Sequence, residues 1–188
     1  MVQASQRSHP KLFGNPRAKN TGEPVGSLGF RTVILRIPRV GGRGHNGAMG
    51  KKCRVVLADD HQDVLEEIRY LLAPEFDVVG SVKEGLALIQ AVFELRPDAV
   101  ISDIKMPRLN GIDAGRQILE KGLCKAVIAL TTYNEPLFVD SAIQAGIRGY
   151  VLKIEASEEL VPAVRTVVCG GIYLSQRVRR QAGWASAR

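Results

Sequence analysis

Nothing in these 188 residues approaches the ~20 consecutive apolar residues that span a bilayer. The stretch Thr32-Val33-Ile34-Leu35 is cut short by Arg36, so it lacks the apolar core of a secretory signal. Cysteine is scarce. Cys53, Cys124 and Cys169 are odd in number and far apart, which argues for free thiols in a reducing cytosol and against a disulfide framework or a zinc site. His9, His45 and His61 share no ligand spacing with them. A cytoplasmic chain with no membrane attachment is expected. Acid is nearly missing from the first 52 residues, which hold 10 Lys/Arg against the single Glu23, a charge of +9. Residues 53–188 hold 16 Lys/Arg and 18 acids, a charge of −2. The formal +7 of the chain therefore belongs to its leader, and the body carries no footprint for a phosphate backbone.

Residues 1–50 are rich in Gly, Pro, Asn, Arg and Ser and have no apolar face to bury, so a disordered basic leader is expected there. Met49 stands directly before the first folded pattern. Two readings stay open: a natural start at Met49 with over-translated sequence ahead of it, or a basic tail for anionic partners.

From Cys53 onward, short apolar runs alternate with amphipathic stretches. "CRVVLA", "FDVVGSV", "DAVIS", "KAVIALT" and "RGYVLK" read as strands, and their near-continuous apolar character suits a sheet covered on both faces. Between them lie helical patterns. Val64, Leu65, Ile68, Leu71 and Leu72 form one inward face, ahead of Pro74. Leu86, Ile89, Val92 and Phe93 form the second, and Ile112, Gly115, Ile118 and Leu119 the third, with Gly122 as its stop. The fourth helix begins near Pro136 and ends at Gly146. The fifth presents Leu160, Val161, Val164, Val167 and Val168, with Ser157 as cap and Pro162 costing a backbone hydrogen bond near its start. Five strand-helix alternations with short links predict an α/β fold: a flavodoxin-like, doubly wound parallel sheet of order 2-1-3-4-5. The domain is expected over 51–170. Residues 171–188 are too few for another domain and read as a linker-like tail.

That order places the carboxyl ends of strands one and three beside one crevice. Strand one runs out at Asp59-Asp60 and strand three at Asp103, so three carboxylates converge. Strand four ends at Thr131-Thr132 and strand five at Lys153, which adds a hydroxyl and an ammonium to the same rim. Clustered carboxylates repel and call for a cation, and carboxylate and carbonyl oxygens suit magnesium. A carboxylate beside that metal can attack a phosphoryl group, with the metal and the lysine offsetting charge in the transition state. Pro107 and Asn110-Gly111 then turn the chain clear of the crevice.

The blocks "VVLADDH", "VISDIKMPRLNGID", "VIALTTY" and "GYVLK" resemble, in order and spacing, the signature blocks of response-regulator receiver domains, over about residues 53–175. "GGIYLS" is similar to the NarL/FixJ subfamily, which usually adds a helix-turn-helix domain; none is expected in these residues. The resemblance implies that Asp103 is the phosphoacceptor for a sensor histidine kinase. It implies a magnesium ion held by Asp60, Asp103 and the carbonyl of Lys105, with Asp59 acting mainly through water. It implies Thr131 as the switch hydroxyl in preference to Thr132, Tyr150 as the aromatic that turns inward from solvent, and Lys153 as the partner of the acyl phosphate. The output face would be helix four, strand five and helix five, with Phe138, Val139, Ile143, Tyr150 and Val161, serving a homodimer or a downstream protein. Ile154 stands where many receivers carry proline. The expected protein is a signalling switch with slow self-dephosphorylation, not a metabolic enzyme, and without sequence-specific DNA binding.

Three other classes fit the residues less well. A magnesium-dependent aspartyl-phosphate phosphatase commonly needs a second Asp two residues after its nucleophile, where Lys105 stands. A cofactor-binding flavodoxin needs a phosphate loop after strand one, where "DDHQD" would repel phosphate. A DNA-binding regulator needs a recognition helix, so it fits only as a truncated form.

Overall fold

The computed structural model describes residues 51–181; the leader, and the end of the tail from residue 182, lie outside the described residues. Five strands and five helices alternate as β1 (Cys53–Ala58), α1 (Gln62–Leu72), β2 (Phe76–Val82), α2 (Gly85–Leu95), β3 (Ala99–Ser102), α3 (Gly111–Glu120), β4 (Val127–Thr131), α4 (Pro136–Gln144), β5 (Gly149–Leu152) and α5 (Ala156–Val168). A 3-10 turn, Lys153–Glu155, joins β5 to α5. All strand pairings are parallel, and the sheet order is β2-β1-β3-β4-β5-β6. The first five strands stand in the expected order. Alternate residues of each strand face two separate cores, one under α2, α3 and α4, the other under α1 and α5. This explains why the central strands are almost continuously apolar: Val100 and Ile101, neighbours in β3, are buried on opposite faces.

The sixth strand corrects the expectation of a linker-like tail. Residues Tyr173–Leu174 form β6 beside β5, and Gln176–Gln181 form α6. Leu174 and Val178 enter the core shared with α4. They stand four residues apart, too sparse a pattern to show periodicity.

The expected inward faces of two helices are rotated. In α2 the buried residues are Gly85, Leu88 and Val92, whereas Leu86 and Phe93 are exposed. The sequence "GLALIQAVFEL" is apolar almost all round, so periodicity alone does not select a face. Close approach does. A Cβ on Gly85 would lie 2.1 Å from the carbonyl oxygen of Leu109, so only glycine lets this turn rest on the loop after β3. Leu88 and Val92 follow on the same side. In α5 the core takes Ala156, Leu160, Ala163, Val164 and Val167, while Val161 is half-buried and Val168 exposed. The helix starts before Ser157 and has Glu155 at its N-cap position without a side-chain cap. Pro162 falls in the second turn, later than expected. Glu158 and Glu159 occupy the first turn, where the helix dipole favours acids.

Candidate functional site

The site is assembled by strand ends. The main chain joins them first: Asp103 N–H donates to the Ala58 carbonyl at 2.8 Å and Asp59 N–H to the Val82 carbonyl at 3.1 Å, continuing the ladder one residue past β3 and β1. Both carboxylates are thereby carried to one place and are almost fully buried. Lys153, the first residue after β5, reaches across. Its Nζ lies 2.6 Å from Asp59 Oδ2 and 2.9 Å from Asp103 Oδ2. The other oxygen of Asp103 accepts from Ile104 N–H at 2.6 Å, and Asp59 Oδ1 accepts from His61 N–H at 3.1 Å. A buried charge is tolerable when paired and hydrogen-bonded, and each of these is.

The predicted residues do not all meet. Asp59, Asp103 and Lys153 do. Asp60 is exposed and faces His61, whose Nδ1 lies 2.7 Å from Asp60 Oδ1. Sequence reasoning set His61 aside for want of a spacing shared with the cysteines; its adjacency to an acidic pair at a strand end was the usable signal. Asp59, Asp60 and His61 offer ligand atoms within 4.8 Å of one another. Lys105 sits on the loop after β3 with its side chain exposed.

Burial separates the two threonines. Thr131 ends β4 fully buried, and Thr132 is exposed. Thr131 Oγ1 accepts from Tyr133 N–H at 3.4 Å. Tyr150 departs from expectation. Its ring is not in solvent but buried, with its hydroxyl donating to the Tyr133 carbonyl at 2.9 Å. Its neighbour in register on β4 is Ala129, whose small side chain leaves the ring room to lie inward. Thr131 and Tyr150 thus converge on the backbone of one residue, Tyr133.

Burial alone would push the Lys153 ammonium to a lower pKa, but its hydrogen bonds to Asp59 and Asp103, and their charges, outweigh it and hold it above the ordinary lysine value. The Tyr150 phenol is also pushed up, first by burial and then by the charges of Glu135 and Asp103. In both cases the folded protein keeps its proton at a pH where the unfolded chain has lost it. Their stabilising contributions are therefore complete below about pH 10 and are lost as pH rises above it. Tyr150→Phe should be less stable than wild type by about 1 kcal/mol at pH 8, through the lost hydrogen bond. By pH 11 the gap should close, because an ordinary phenol in the unfolded chain gains about 1.4 kcal/mol per pH unit above 10. Urea midpoints at the two pH values check this; an unchanged gap would contradict it.

The carboxyl edge of the parallel sheet thus carries two buried aspartates joined by one lysine. The model of the response regulator receiver domain matches residues 55–165, and the chain belongs to that family. It is 33% identical over 129 residues to the transcriptional regulatory protein DegU of Brevibacillus brevis, covering 68% of this chain and 55% of DegU. It is 35% identical over 130 residues to the response regulator GacA of Pseudomonas viridiflava, covering 68% and 61% respectively. The chain thus spans 55% and 61% of the length of these two relatives. The isolated REC domain of RcsB from Salmonella enterica serovar Typhimurium, solved with the phosphomimetic BeF3-, superposes with a TM-score of 0.64 at 29% identity, covering 69% of this chain and 98% of that one. A LuxR-family response regulator from Aurantimonas sp. SI85-9A1 gives 0.66 at 28%, covering 71% and 97%. No helix among the described residues is long and apolar enough to cross a membrane.

Proposed function

We propose that Asp103 accepts a phosphoryl group from a phosphohistidine of a sensor histidine kinase. The carboxylate oxygen forms the new P–O bond, the P–N bond breaks, and its electron pair leaves with the imidazole. The observation that carries this reading is the Lys153 ammonium bound at once to Asp103 and Asp59. It anchors the carboxylate and stays in place to offset charge on the phosphoryl oxygens.

The donor set fits a divalent cation. The carboxylates of Asp59, Asp60 and Asp103 carry three negative charges, Lys153 offsets one, and hard oxygen ligands suit magnesium. Asp60, Asp103 and the Lys105 carbonyl would hold the ion, with Asp59 beside it, and it would supply charge neutralisation at the transferring group. Thr131 then donates to a phosphoryl oxygen, and Tyr150 is held inward. The chain acts as a cytoplasmic switch with slow self-dephosphorylation. The two states differ at the side of the sheet bounded by α4, β5 and α5, and a second copy or a downstream protein reads that difference. Specific DNA binding is not assigned to residues 51–181.

Acetyl phosphate with magnesium should add one labile phosphoryl group, read by intact-mass spectrometry, and a chelator should reduce the labelling rate by at least ~100-fold. Equal labelling with and without chelator would overturn the role given to the metal.

A further inference from the structure

The face bounded by α4, β5 and α5 is covered by the chain's own segment Ile172–Gln181. In β6, Tyr173 pairs in register with Gly149 and Leu174 with Tyr150. The two side chains go to opposite layers. Tyr173 packs on the α5 side, where its hydroxyl donates to Glu159, and Leu174 joins the α4 side. Backbone bonding continues beyond the strand: Ser175 N–H donates to the Tyr150 carbonyl at 2.8 Å, and Leu152 N–H to Ser175 Oγ at 3.4 Å. Val178 of α6 is then buried in the cluster that holds Val139 and Tyr150. Arg177 N–H donates to Glu155 Oε1 at 3.2 Å, and the Arg179 guanidinium lies 3.9 Å from Glu159. An ion pair as long as 3.9 Å contributes little, so the apolar side chains and the strand pairing carry the docking.

We infer that this segment is a built-in occupant of the face, that its docking is coupled to the position of the Tyr150 ring, and that a partner reaches the face only when the segment leaves. The register supplies the coupling. Tyr150 has Ala129 on one side and Leu174 on the other. The ring lies toward β4, bound to the Tyr133 carbonyl. Turned the other way it meets Leu174 and Val178. Both are buried, Leu174 at 5% and Val178 at 2% exposure, so that side is already filled. An outward Tyr150 and a docked α6 therefore exclude each other, and whatever holds the ring inward tightens the tail. The partner chemistry follows from the occupant. The face takes a short segment that adds to the β5 edge, buries apolar residues on both layers and brings arginines to Glu155 and Glu159.

The trigger rests on the proposed role of Asp103, so the test separates the two. Amide hydrogen exchange is followed in wild type with magnesium, with and without beryllofluoride. Residues 172–181 should exchange about tenfold more slowly with the mimic, alongside a response at residues 103–107. Coupling is reciprocal, so Val178→Asp, which undocks α6, should raise the half-saturating beryllofluoride concentration several-fold. A response at 103–107 with none at 172–181 overturns the inference, as does a Val178→Asp protein that binds the mimic as wild type does. If neither segment responds, the phosphoacceptor reading falls, and this inference with it.

Discussion

Asp103→Asn should abolish phosphoryl labelling while leaving a folded protein. The amide is nearly isosteric with the carboxylate. Its oxygen can still accept from Ile104 N–H, and Lys153 keeps Asp59, 2.6 Å away. The variant loses one of the two partners of a buried ammonium, which costs at most a few kcal/mol, and removes one of two carboxylates crowded on the same lysine, which offsets part of that. Stability should therefore change by roughly 1–2 kcal/mol. Chemistry fares differently. An amide has no nucleophilic oxygen of comparable basicity, so the rate falls to background. Cooperative melting near the wild-type temperature, combined with no labelling by acetyl phosphate, is the expected pair of results. Labelling that persists would move the acceptor to another residue.

Gly111→Ala should damage both the fold and the site. Gly111 opens α3 directly beneath the acceptor. A Cβ there would lie 1.9 Å from the Asp103 carbonyl oxygen and 2.8 Å from Ser102 Oγ. Backbone cannot yield as the end of a side chain can. The Gly111 N–H also donates to the Ile104 carbonyl at 2.9 Å, which clasps the loop after β3 to the helix start. Moving the helix out opens that clasp and drags the Asp103 peptide with it. The cost should be about 3 kcal/mol, the upper end of overpacking, and roughly 10 °C in melting temperature for a domain of this size. Labelling should slow by about tenfold or more, since small misplacements of a reacting group are expensive. A variant that melts and labels as wild type does would show that this contact relaxes freely.

Much of this was legible in the sequence, for a physical reason. Strands buried on both faces are nearly all apolar, so the polar residues where each apolar run stops mark its carboxyl end. Asp59, Asp103, Thr131 and Lys153 were found this way, and the parallel order put those ends side by side. The Asn110-Gly111 turn was read correctly as a change of direction. Its second task, close packing under the Asp103 carbonyl, was invisible because no pattern reports what a missing Cβ would touch. The choice of Thr131 over Thr132 came from resemblance, and burial supports it. The inward ring of Tyr150 depends on the size of Ala129 across the sheet, a pairing of residues 21 apart in sequence that no local window contains. The face of α2 was misread because apolar residues surround it. The tail was misread because two buried apolar residues, Leu174 and Val178, carry too little signal.

The central claim, that Asp103 carries the phosphoryl group, is tested most directly by trapping the adduct. Protein labelled with acetyl phosphate is reduced with borohydride, which converts an aspartyl phosphate to homoserine, and the modified peptide is sequenced by mass spectrometry. The prediction is homoserine at position 103 and at neither 59 nor 60. Conversion at Asp59 or Asp60 with Asp103 intact, or a labelled protein with no reducible aspartyl group, would contradict it.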